Sequence, residues 1–182
     1  MDDFKDYLHG LRQEMHDKWN RVLPSNELLS DRWEKAKFLG FGEGSSIYDS
    51  CVVLGDVSVG KDVWIGPFTL LDGSGGLTIG DGCDISAGVN IYTHDTVMQT
   101  LSEGKDDIAR APTAIGEYCH IGADSTILKG ISIGHHSVVG AGCVVTKSFP
   151  PFSIVVGVPA KKVGSVEIDN GEVKLVYLRD ME

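Results

Sequence analysis

One histidine of the six in this 182-residue chain stands where a repeat stops. His94 lies in "NIYTHDTVMQ", with an even aliphatic beat before it and the same beat again some twenty positions later. An imidazole has an unperturbed pKa near ~6.5, so much of it is neutral at pH ~7 and can take a proton from a hydroxyl or an amine. Beside a thioester, such a base lets the acceptor attack the carbonyl directly, and a backbone N–H at a turn can stabilise the oxyanion. Asp95 follows it and could either orient the ring or face solvent. The other reactive side chains point elsewhere. Cys51, Cys83, Cys119 and Cys143 contain no CxxC pair, which argues against a zinc cluster or a redox motif. They read as reduced, buried residues, and no metal centre is expected.

A base needs a rigid element to hold it. Ile47, Val53, Val59, Ile65 and Leu71 are spaced by six. Two extra residues in "DGSGGLT" shift the phase, and the beat resumes at Ile79, Ile85 and Ile91. It returns at Ile115, Ile121, Ile127, Ile133, Val139 and Val145, often followed by glycine. A helix would repeat every ~3.6 residues, whereas an even period suits a strand, whose side chains alternate between faces. Each hexad can therefore be a short strand and a turn with its aliphatic residue inward, and stacked coils bury what one coil cannot. Residues 93–113 leave this pattern as a loop, and long loops in compact domains are usually functional or disordered.

This pattern resembles the hexapeptide-repeat acyltransferases over roughly residues 42–164. The resemblance implies an all-β dominated fold, a left-handed parallel β-helix with three hexads per coil, although the general rule for parallel crossovers favours the right hand. Four to five coils are expected. The stretch "GLTIGDGCDISAGVNIYTHDT" is similar to the segment of bacterial sugar O-acetyltransferases that carries the catalytic histidine, which makes His94 the general base. "IGADSTILKGISIGHHSVVGAGCVVTKSFPPFSIVVGVPAKKVG" is similar to the family's coenzyme A end. The matching cofactor positions are Gly122, Ala123, Gly140, Ala141, Thr146, Lys147 and Lys161, with the Ala123 amide at the thioester-carbonyl contact. A family carboxylate near the acceptor sugar matches Asp72, and a family asparagine that contacts the acceptor falls on Pro67. Asp72 and Asp95 are thus the acceptor-side candidates. The implied activity is transfer of an acetyl group from acetyl-CoA to a sugar hydroxyl, in polysaccharide biosynthesis. The implied assembly is a homotrimer whose active site lies between neighbouring β-helices. N-acylation of an amino-sugar nucleotide and a non-catalytic assembly role stay open. A γ-type carbonic anhydrase, built on the same β-helix, is disfavoured because His94, His120, His135 and His136 include no H-x4-H pair.

The ends read as covers for the solenoid, whose open edges would otherwise pair with other chains. Residues 1–41 form a helical cap, in which Phe4, Tyr7, Leu8, Leu11, Met15, Trp19 and Val22 make an apolar stripe. Ser25 is expected to N-cap a second helix through "NELLSDRWEKAKF". Residues 42–163 form the β-helix, and 164–182 a hairpin turning at Asn170–Gly171. A net charge of −10 repels phosphate backbones and argues against a nucleic-acid partner. No apolar run approaches the ~20 residues of a membrane span. "MDDFKDYLHG" lacks the basic flank and apolar stretch of a signal peptide, so a cytoplasmic location is expected.

Overall fold

A computed structural model describes residues 2–178. The hexads wind into a parallel β-helix with three faces, consistent with the left hand that the resemblance implies. On the first face Ser46–Ile47, Trp64–Ile65, Asp84–Ile85, His120–Ile121, Val138–Val139 and Ser153–Val156 stack in parallel. Residues 52–53, 70–71, 90–91, 126–127 and 144–145 form the second face. Residues 57–59, 77–79, 113–115 and 132–133 form the third, which Phe149 closes by a bridge to Ile133. Five coils are complete, and Ser153–Val156 opens a sixth, beyond the four to five expected.

Register explains the burial. Aliphatic residues pair with one another from coil to coil, as in Ile65↔Ile85, Ile91↔Ile127 and Ile115↔Ile133. Ile47, Ile65, Leu71, Ile85, Ile91, Ile121 and Ile127 are wholly buried along the axis, each contributing roughly 1.5–3 kcal/mol. Three hexads per coil mean that residues eighteen apart share a corner, such as Gly122 and Gly140. The four cysteines are buried and free, and burial pushes the Cys51 thiol up.

The N-terminal segment departs from expectation in one respect. Three helices form: α1 (Asp2–Trp19), α2 (Ser25–Leu29) and α3 (Arg32–Phe38). The break between α2 and α3 arises because Asp31 caps α3, accepting from the Trp33 and Glu34 amides. Ser25 is the first residue of α2 rather than its cap, and its hydroxyl accepts from Arg12. α2 and α3 cover the first coil. Buried Glu27 accepts from the Asp49 and Ser50 amides, and the Lys35 ammonium donates to the carbonyls of Tyr48, Asp49 and Cys51. Along α1, Phe4, Tyr7 and Trp19 remain exposed.

At the far end the hairpin begins three residues earlier than expected. Lys161–Asp169 runs antiparallel to Ser153–Val156, with Lys161 opposite Val156 and Lys162 opposite Val155. Glu172–Tyr177 then returns beside it through Asn170 and Gly171, whose φ values of 49° and 85° are the left-handed pair that a tight hairpin turn needs. The part of the expected hairpin at 179–182 lies outside the described residues. Among the described residues no helix is long and apolar enough to cross a membrane.

Candidate active site

The coil regularity fails twice, and the two failures meet. The first is the corner Asp72–Gly76 inside the strand Leu70–Ile79, where two inserted residues let the chain bulge. The second is the stretch after Asn90–Ile91. It is not a bare loop. His94–Asp95 and Ala109–Arg110 pair as a short antiparallel ribbon, with α4 (Val97–Leu101) between them. The ribbon crosses tightly over the bulge: a Cβ on Gly75 would lie 2.5 Å from the Thr93 carbonyl oxygen and 3.0 Å from the Ala111 nitrogen. Only glycine lets the two segments approach so closely.

Asp72 ties them together. Its side chain is fully buried, and its Oδ2 lies 2.6 Å from His94 Nδ1 and accepts from the Thr93 amide at 2.8 Å. Its Oδ1 accepts from the Ser74 amide and hydroxyl. The Thr93 hydroxyl donates to the Asp72 carbonyl and accepts from the Gly75 amide. Burial by itself would raise the Asp72 pKa. The hydrogen bonds from the Ser74 hydroxyl, the Thr93 and Ser74 amides and His94 outweigh it and hold the carboxyl well below the usual range. An ionised Asp72 makes His94 Nδ1 the protonated nitrogen, so Nε2 carries the lone pair. That is the tautomer a general base requires.

Asp72 was expected near the acceptor, and in the structure its side chain is fully buried. It holds His94 instead. Asp95 does not orient the ring. Its carboxylate lies 3.1 Å from Lys129 Nζ and accepts from the Val97 amide, which together lower its pKa. His94 keeps about a third of its side chain exposed (30%) and opens onto a cavity of about 440 Å³. Tyr92, Leu128 and Thr146 stack along that cavity from coil to coil, and Asp95, Val97 and Lys129 flank it.

The expected coenzyme residues divide between two corners. Thr146 shares the His94 cavity, and Lys147 follows it with its ammonium 5.6 Å from the Phe149 ring centroid. Gly122, Ala123, Gly140 and Ala141 stack at the preceding corner, where a Cβ on Gly122 would lie 2.5 Å from the Ala141 nitrogen. Lys161 and Lys162 open the hairpin strand, opposite Val156 and Val155. His120 lies on the first face, and His135 and His136 at the corner before it, with their Nδ1 atoms 3.0 Å apart. The residue whose role the sequence did not reveal is Asp72, and its signal was the phase-shifting "DGSGG" one coil before the histidine.

A parallel β-helix wound from six-residue units, with an imidazole held by a buried carboxylate where its wall opens, defines a class: a hexapeptide-repeat protein. Residues 56–93 and 112–147 match the family model described as hexapeptide repeat of succinyl-transferase. These two segments carry that family's hexapeptide repeat, and the unmatched interval between them holds the ribbon and α4. A serine acetyltransferase of Buchnera aphidicola is 40% identical over 107 residues, covering 58% of this chain and 40% of that protein. One from Mycobacterium tuberculosis is 33% identical over 119 residues, 65% of this chain and 50% of that protein. The chain thus spans half or less of these two relatives. Among solved structures, AntD, an N-acyltransferase from Bacillus cereus in complex with dTDP and 3-hydroxybutyryl-CoA, superposes with a TM-score of 0.63 at 27% identity, covering 69% of this chain and 71% of that one. The acetyltransferase domain of PglB from Neisseria gonorrhoeae, in complex with acetyl coenzyme A, shares the fold at a TM-score of 0.54 and 22% identity, covering 67% of this chain and 50% of that one.

Proposed function

We propose that this protein is an acyl-CoA-dependent acyltransferase in which His94 is the general base. The observation that carries the reading is the buried Asp72 fixing His94 Nδ1 at 2.6 Å while the ring faces the cavity that runs to Thr146. Bound acetyl-CoA supplies an activated acyl group. The residues fit such a donor: the cavity has an apolar wall in Leu128 and Val97, and Lys147, which follows the cavity residue Thr146 in the chain, offers a cation for a phosphate. His94 Nε2 takes the proton of the acceptor hydroxyl or amine as that group attacks. Asp72 stabilises the imidazolium that results, and the proton then passes to the departing thiolate. Oriented attack of this kind needs no enzyme nucleophile.

The division of the coenzyme residues between two corners fits a homotrimer, in which one subunit supplies His94 and Thr146 and its neighbour supplies Gly122, Ala123, Gly140 and Ala141. For the acceptor, a sugar hydroxyl is the first reading. N-acylation of an amino-sugar nucleotide is the second, favoured by the likeness to an N-acyltransferase complexed with dTDP. Supply of the donor argues for the cytoplasm. The test is a screen of sugars, amino sugars and their nucleotides with acetyl-CoA, following free thiol release. Acceptor-dependent thiol release that is absent from His94→Ala supports the reading, and no release with any acceptor counts against it.

A further inference from the structure

Arg110 stands directly across the ribbon from His94. The two are cross-strand partners, and the Ala111 amide donates to the Thr93 carbonyl beside them. That bond brackets the pair, so His94 and Arg110 occupy a non-hydrogen-bonded site, where Cα atoms approach to about 4.5 Å and both side chains leave the same face. The Arg110 side chain thereby leaves the ribbon on the same face as the base. It is exposed and has no ion pair among the described residues, although the same excursion carries Glu103, Asp106 and Asp107. The nearest acid in the ribbon, Asp95, is already committed to Lys129. In a chain of net charge −10, an arginine paired across the ribbon with His94, and with no acid on it among the described residues, is a candidate anion site.

Position says whose anion it is. The cavity leads from His94 past Leu128 to Thr146 on the fifth coil, the residue that Lys147 follows in the chain. The coenzyme's phosphates belong at that end. An acceptor has to reach His94 from the other side, over the ribbon that carries Arg110. We infer that Arg110 is a specificity-determining residue that grips an oxyanion of the acceptor, so that the acceptor is an anionic sugar, either a sugar nucleotide gripped through phosphate or a sugar acid gripped through carboxylate. Arginine suits both, because its planar donors match two oxygens at once, which a lysine cannot do. This rests on the acyltransferase reading and adds the acceptor's charge class to it.

The experiment is calorimetric titration of wild type, Arg110→Ala and Arg110→Lys with dTDP, with glucuronate and, separately, with coenzyme A. Wild type is expected to bind dTDP or glucuronate, and whichever binds names the source of the oxyanion. Arg110→Ala should weaken that binding by about 10- to 100-fold, the scale of a charge-assisted contact. Arg110→Lys should recover part of it, and coenzyme A affinity should be the same in all three. Equal affinity for the anion in wild type and Arg110→Ala, or no binding of either anion to wild type, overturns the inference. The coenzyme titration separates the two claims, because its failure in every variant counts against the acyltransferase reading and not against the role of Arg110.

Discussion

Two stretches of the same solenoid obey different rules. From Ile115 to Val145 the hexads run without interruption, and every in-phase aliphatic residue is buried on the axis. Between Asp72 and Pro112 the pattern breaks twice, and at the breaks a carboxylate and a threonine hydroxyl are buried and hold a partly exposed imidazole. The regular stretch stabilises the fold by burial, with every residue doing the same work as its neighbour one coil away. The broken stretch buries an ionised group, which is costly unless every oxygen is matched, and the Asp72 carboxylate is matched by four donors from Ser74, Thr93 and His94. The repeat supplies rigidity, and its interruptions place the chemistry.

That contrast can be broken or sharpened by substitution. The largest effect is expected from Asp72→Asn, which keeps the shape but lets Nδ1 act as acceptor and so puts the proton on Nε2. Turnover should fall by about 100-fold or more while coenzyme binding persists, as for the loss of an orienting carboxylate in other dyads. Gly75→Ala should push the ribbon off the bulge and lower kcat by about 10-fold or more, with little change in melting temperature. Ile127→Ala, one coil from the site but inside the regular stretch, should do the reverse. It should cost about 2–5 kcal/mol of stability in denaturant unfolding and leave the pH dependence of kcat unchanged.

The smallest effect is a pH dependence of stability. The folded-state pKa of Asp72 lies below its unfolded value of about 3.9, so its contribution is present above that pH and is lost as pH falls toward the depressed folded value. The melting-temperature difference between wild type and Asp72→Asn should be constant above about pH 5 and narrow below about pH 4.

Much of the architecture was legible in the residue order because the six-residue period is a direct record of which side chains point inward. Ile85, Ile121 and Val139 follow one another up the first face as the spacing requires. His94 was legible because it sits where the period ends. The division of the expected coenzyme residues was also present in the arithmetic: Gly140 and Thr146 are six apart, hence on successive corners. Asp72 was legible as a candidate but its contact with His94 was not, because the two are twenty-two residues apart and the two inserted residues shift the phase between them. The break between α2 and α3 was hidden for a different reason. A helical apolar pattern continues through Ser30, and only the local bonds of Asp31 to the next amides interrupt it.

The central claim is that the imidazole held at the meeting of the two interruptions removes the acceptor's proton. It is tested most directly by measuring turnover of His94→Ala at saturating acetyl-CoA, with an acceptor that wild type uses, alongside a coenzyme titration. The account predicts a kcat lower by about 10²–10⁴-fold with coenzyme affinity unchanged. Turnover within a few-fold of wild type would contradict it.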